Sequence, residues 1–181
     1  MALTGSKTSG PAGTEKSSGS NSVSIDAATK PMVKVVAHLA DGRLVKGHTD
    51  VVPATDLEYL LKQEPVSMPA EVKVLLSEQD RTIAVPLTSL KALYFVKSFI
   101  GSESYKEIKF FEGHPTIDGL WVRLKFHDGE WTEGVVRNSY HFLVEPGFLV
   151  KPPDPQSNNE MVYAIKTALV DFQVLGVRHT Y

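Results

Sequence analysis

The sequence predicts an all-β protein, built as two small five-stranded barrels in tandem behind a disordered N-terminal tail. Three observations carry this. Residues 33–39 and 120–126 both alternate apolar and polar side chains and both run into an Asp-Gly pair. The two copies share one spacing: Asp41 and Asp128, Gly42 and Gly129, and Gly47 and Gly134 are each 87 residues apart. Helical periodicity is scarce along the chain.

The elements follow in order. Residues 1–30 are about half Ser, Gly and Thr and contain no aromatic residue. Such a segment buries too little apolar surface to offset its ordering entropy, so a disordered tail is expected. Val33, Val35, Ala37 and Leu39 then share one face of an expected strand. Asp41-Gly42 reads as a two-residue type I′ hairpin turn. The chain returns through residues 43–47. Residues 56–62 fit one or two helical turns inside an insertion. Residues 87–90 read as a short 3₁₀ turn before an apolar strand at 90–96. The connector at 100–116 is charged and amphipathic, and its Ile108, Phe110 and Phe111 are expected to pack on a barrel or between the two.

The second unit repeats the scheme. Leu120, Val122, Leu124 and Phe126 share a face, with Trp121 on the other. A two-residue loop at Asp128-Gly129 would pair Phe126 with Trp131. The final apolar strands, 90–96 and 169–175, are 79 residues apart, so the first unit carries about eight extra residues. This is the pattern of an internal duplication. The expected boundaries are 32–99 for the first barrel and 117–178 for the second. Gly47 and Gly134 fall inside the second strand of each unit. There a glycine permits the sharp bend by which one strand serves both sheets of a tiny SH3/Sm-like barrel.

Leu39-Ala-Asp-Gly-Arg-Leu-Val-Lys-Gly47 resembles the first motif of Sm and Sm-like proteins, and Phe126-His-Asp-Gly-Glu-Trp-Thr-Glu-Gly134 has the same spacing. The resemblance implies barrels that join neighbours through strand edges, and three two-barrel chains would make a six-barrel ring. The Asp and Asn that follow the second glycine in RNA-binding Sm proteins are not matched, so RNA binding is not implied. From Gly119 through Pro146-Gly-Phe-Leu-Val, residues 152–159 and 168–172, the chain is also similar to an uncharacterised bacterial domain family. That resemblance spans most of residues 32–178 and implies the bacterial cytoplasm.

Composition narrows the function classes. The 181 residues include 19 Lys and Arg against 21 Asp and Glu, a net charge of −2, without the basic field of most nucleic-acid binders. There is no cysteine, hence no disulfide and no thiolate chemistry. No stretch reaches the ~18 apolar residues of a membrane span. The N-terminus lacks a signal-peptide pattern, and a cytoplasmic protein without membrane contact is expected.

The six histidines show no metal-binding spacing, and His38 and His127 face away from the apolar stripe. Asp41 and Asp128 sit where Asp suits turn geometry. No nucleophile elbow, phosphate loop or complete cyclic-dinucleotide motif is present. We therefore expect no catalytic residue, no cofactor and no metal. Aromatic and basic side chains gather in the second unit, and Arg123, Lys125, Trp131, Arg137, Tyr140 and Phe142 are the candidate interaction residues. Mixed surrounding charge suits a protein partner, or a second copy, better than a polyanion. Nucleic acid stacked on this aromatic face is the alternative.

Overall fold

The computed structural model describes residues 31–51, 67–102, 104–113 and 119–178. The expected tail and the expected helical turns at 56–62 lie outside them. The strands are β1 (Val33–Leu39), β2 (Leu44–Thr49), β3 (Glu71–Leu76), β4 (Thr82–Pro86), β5 (Leu90–Val96), β6 (Gly119–Phe126), β7 (Trp131–Val136), β8 (Gly147–Val150), β9 (Asn159–Ile165) and β10 (Leu169–Arg178). One short helix, α1 (Tyr140–Val144), and 3₁₀ turns at Leu87–Ser89 and Lys166–Ala168 complete the described elements. The all-β expectation holds, and so does the 3₁₀ turn before β5.

Every strand pairing is antiparallel. One sheet runs β4-β3-β2-β1-β5-β9-β8 and the other β10-β6-β7. A single bridge between Val135 and Lys151 links β7 to the chain just beyond β8. The neighbours therefore form one run, 4-3-2-1-5-9-8-7-6-10, in which the second five strands repeat the order of the first five. The two sheets form no closed barrel, and they do not divide at the boundary between the halves. Instead β5 pairs with β9 across it, with Leu93 opposite Tyr163 and Phe95 opposite Met161.

The core explains this continuity. Val35, Val74, Leu93 and Phe95 from the first half join Val122, Phe126, Met161 and Ile165 from the second in one cluster. Each such side chain, fully buried, contributes about 1.5–3 kcal/mol. Strand β5 is flanked by β1 and β9 and buried along nearly its whole length. Its almost continuous apolar run suits that central place. The alternating face of β1 behaves as expected, with Val35 and Ala37 in the core and Lys34 in solvent.

The hairpin turns correct the type I′ expectation. Gly42 N–H donates to Leu39 O and Leu39 N–H to Arg43 O, while Gly129 and Phe126 repeat the pattern with Phe126 O and Glu130 O. Each loop has three residues, and only its glycine has positive φ, 86° at Gly42 and 83° at Gly129. Such a loop needs one left-handed residue rather than two. Asp41 and Asp128 each accept the N–H two residues on, the turn-making role expected of them. The extra loop residue shifts the register, so Trp131 lies opposite Lys125, not Phe126.

Gly47 lies opposite both Val35 on β1 and Leu76 on β3, so β2 passes from one neighbour to the other there. Gly134 faces Val122 on β6, next to the Val135–Lys151 bridge. At both glycines the adjoining strand comes so close that a Cβ would strike it.

Candidate functional site: strand edges and a polar seam

The two ends of the strand run are β4 and β10, each paired on one side only among the described residues. Strand β4 is short and closes on Pro86, which carries no N–H to offer a neighbour. Strand β10 spans ten residues, and Val170, Val174 and Val177 on it are exposed. Its counterpart β5 stands in the same place in the first half, but β9 covers it. The matched positions Phe95 and Val174, 79 apart in the sequence, differ sharply in exposure, 1% against 50%. An apolar, one-sided strand edge is a template for a further strand.

The six candidate interaction residues fall in two places. Arg123, Lys125 and Trp131 share the outer face of β6 and β7. There Phe110 stacks on Trp131 with ring centres 6.4 Å apart, and the Arg123 guanidinium lies 5.6 Å from the Trp131 ring centre. Arg123 is also bound to Glu133 through Nη2 at 2.6 Å. Its charge is thereby largely balanced. Arg137 and Phe142 line a separate pocket at the end of β7, with Tyr140 exposed on α1 beside it. Phe142 packs on Phe148 and Phe172, with ring centres 4.9 Å and 5.3 Å away.

The connector is held chiefly by buried carboxylates, not by its apolar residues. Glu133 accepts the Phe111 N–H at 3.1 Å, the Trp121 indole N–H at 2.9 Å and both Arg123 contacts. Asp154 accepts the Tyr105 hydroxyl at 2.6 Å and the Ile108 N–H at 3.0 Å. Burial raises both carboxyls, yet these donors outweigh it and hold both below their ordinary values. Of the connector's apolar residues, Phe110 and Phe111 lie against Trp131 and Trp121, while Ile108 is exposed.

A polar seam lies where the two halves meet. Lys91 on β5 is buried and donates from Nζ to both Asp128 and Glu130 in the second half's hairpin. The same ammonium sits 4.7 Å from the Phe126 ring centre. Lys109 holds Glu130 from the connector side at 2.9 Å. His38 lies against Tyr94, and burial followed by the nearby Lys91 charge lowers its imidazole from 6.5. A lysine within the apolar run of β5 was the one sequence signal for this seam. The pairing itself joins residues 37 and 39 apart, beyond any local pattern.

The seam makes a pH prediction. Lys91 pulls the Asp128 carboxyl below its ordinary 3.8. Burial raises Glu130, but Lys91 and Lys109 outweigh it and leave it below 4.5. Burial lowers Lys91, and its two carboxylates more than reverse that. A depressed carboxyl contributes stability that is complete above its unfolded value and lost as pH falls through its folded one. Resistance to urea should thus fall progressively as pH drops below about 4.5. Lys91→Met should make that acid decline shallower; an unchanged decline would show that the seam does not cause it.

No described helix is long and apolar enough to cross a membrane. No curated protein and no solved structure matches the chain. One family model, described as a family of unknown function, matches residues 32–176. That span begins just before β1 and ends within β10, so it takes in both halves of the strand run. The chain belongs to this family of unknown function, DUF6982.

Proposed function

We propose that this protein is a non-enzymatic assembly module that binds a second copy of itself, with β10 of one copy against β4 of the next. The observation that carries this is the matched order of the two halves. Within the chain, the last strand of the first half, β5, pairs with the fourth strand of the second half, β9. The strands left open are the last of the second half and the fourth of the first. They are the same two partners, on two different molecules. The reading rests on two duplicated, strongly bent SH3/Sm-like units, each with the order 4-3-2-1-5.

The proposed contact has a definite register. The 3₁₀ turns place Leu87 and Lys166 at equivalent positions, 79 apart. Transferring the β5–β9 pairing by that offset sets Gln173 opposite Ile83 and Val174 opposite Thr82. A contact between unlike edges is head-to-tail and closes into a ring when the rotation allows. Three chains of 19.9 kDa would give a ring of six units near 60 kDa. The aromatic face of β6 and β7 would stay outside that contact and be available to a protein partner.

The test uses size-exclusion chromatography with light scattering, and crosslinking. The chain has no cysteine, so Ile83→Cys with Gln173→Cys should give intermolecular disulfides on oxidation, and neither single variant should give the same ladder. Val174→Lys should cut the measured mass to that of one chain. It should change the stability of the isolated fold by no more than about 0.5 kcal/mol, as surface substitutions do. A wild-type protein that remains one chain at high concentration would rule out self-assembly and leave the open edge to an extended peptide from another protein.

A further inference from the structure

The pocket at the end of β7 carries a second, independent inference. It is a cavity of about 50 Å³ between α1 and strands β7, β8 and β9. Val136, Phe142, Phe148 and Leu149 supply an apolar lining. Polar side chains break that lining, and Arg137 and Tyr163 are the two that bear on a ligand. The Tyr163 hydroxyl, on a residue only 3% exposed, finds no acceptor for its proton among the described residues. The Arg137 guanidinium Nη1, also buried, has none either.

Both groups are built into place. Gly147 makes room for the Tyr163 ring, since a Cβ there would come within 2.6 Å of its Cε1. Burial, followed by the nearby Glu145 charge, pushes the Tyr163 hydroxyl up to about 12, so at neutral pH it is a neutral O–H able to donate. The nearby Gly147 N–H favours the oxygen but accepts nothing. Arginine stays charged at any ordinary pH. Two buried donors without acceptors destabilise the fold, the charged one more than the neutral one. The structure retains them beside an apolar hollow, which is the construction of a site for an apolar molecule bearing an acceptor.

The charge of the acceptor follows from its surroundings. Glu145 also lines the pocket, but its carboxylate accepts the Ser67 hydroxyl at 3.1 Å and lies 3.9 Å from His141 Nδ1. Arg137 Nη1 has no hydrogen-bond partner among the described residues, a carboxylate included. A carboxylate satisfies both donors at once and balances the cation, which a carbonyl does not. The volume corresponds to about three to five water-sized positions, so the ligand is small.

We propose that this pocket binds a short-chain monocarboxylate, its carboxylate accepting from Arg137 and Tyr163 and its alkyl chain lying against Phe142 and Phe148. The test measures thermal unfolding and isothermal calorimetry on the full chain with sodium propionate, with propionamide and sodium chloride as controls. Propionate should bind saturably at millimolar concentration and raise the melting temperature. Propionamide, equal in shape but uncharged, should bind at least tenfold more weakly. Arg137→Gln should abolish binding. Tyr163→Phe, which removes only the hydroxyl, should weaken it about tenfold and provides the reading should Arg137→Gln fail to fold. Propionate effects no greater than those of chloride would overturn the proposal, as would equal binding of propionamide or wild-type affinity in Tyr163→Phe.

Discussion

Gly47→Ala is expected to abolish cooperative folding, the largest effect among the crowded glycines at 47, 134 and 147. A Cβ at Gly47 would strike the Leu75 carbonyl oxygen and lie 2.9 Å from the carbonyl carbon and 2.6 Å from Val74 Cγ1. Two of those atoms are backbone in a paired strand, so they give way only if β2 separates from β3. The cost should exceed the ~1–3 kcal/mol typical of overpacking a core. At Gly134 the first obstacle is the Val150 side chain, followed by the Lys151 carbonyl oxygen at 2.8 Å. A side chain can rotate, so Gly134→Ala should be damaging but less so. Gly101 has nothing within 4 Å of such a Cβ, and Gly101→Ala should leave stability nearly unchanged. Urea midpoints for the three variants test the ranking. Equal midpoints for Gly47→Ala and Gly101→Ala would refute the close-approach account.

Glu133→Ala should be the most damaging removal of a polar side chain. The carboxylate is 2% exposed and serves four donor contacts from Arg123, Trp121 and the connector. Removing one partner of a buried ion pair leaves the others unpaired, at about 3–5 kcal/mol where both are buried. Arg123 is half-exposed and can recover water, so about 2–4 kcal/mol is expected here. Amide exchange would separate two outcomes. Faster exchange at Phe111, whose N–H donates to Glu133, together with the stability loss would confirm that Glu133 anchors the connector. A stability loss with the connector still protected would assign the carboxylate to the β6–β7 face alone.

How much of this was legible beforehand follows from the range of each interaction. The alternation at 33–39 and 120–126 reports a local property, the two-residue period of a half-buried strand, and the strands lie there. The final strands and the 3₁₀ turn were legible for the same reason. The turn type was not, because Asp-Gly suits both a two-residue loop and a three-residue loop with one left-handed glycine. The choice moved Trp131 from the core face beside Phe126 to the outer face beside Lys125 and Arg123.

The candidate residues show the same division. Chemistry singled out Arg123, Lys125, Trp131, Arg137, Tyr140 and Phe142, but only contacts across the fold separate them into an outer face and a pocket. Tyr163 gave no sign of its role, since a tyrosine in an apolar strand reads as core. Its unpaired hydroxyl depends on what β8 and α1 place beside it.

Local pattern thus set the hairpin strands, the apolar strands that end each half and the 87-residue spacing of the hairpins. It did so because side-chain alternation and glycine conformations are properties of neighbouring residues. Tertiary structure alone decided that β5 would meet β9 and that β10 would stay open, although β5 and β10 resemble each other in sequence. Strand pairing is made by backbone groups that every residue carries. Which edge finds which partner is therefore settled by the shape and burial of the whole chain.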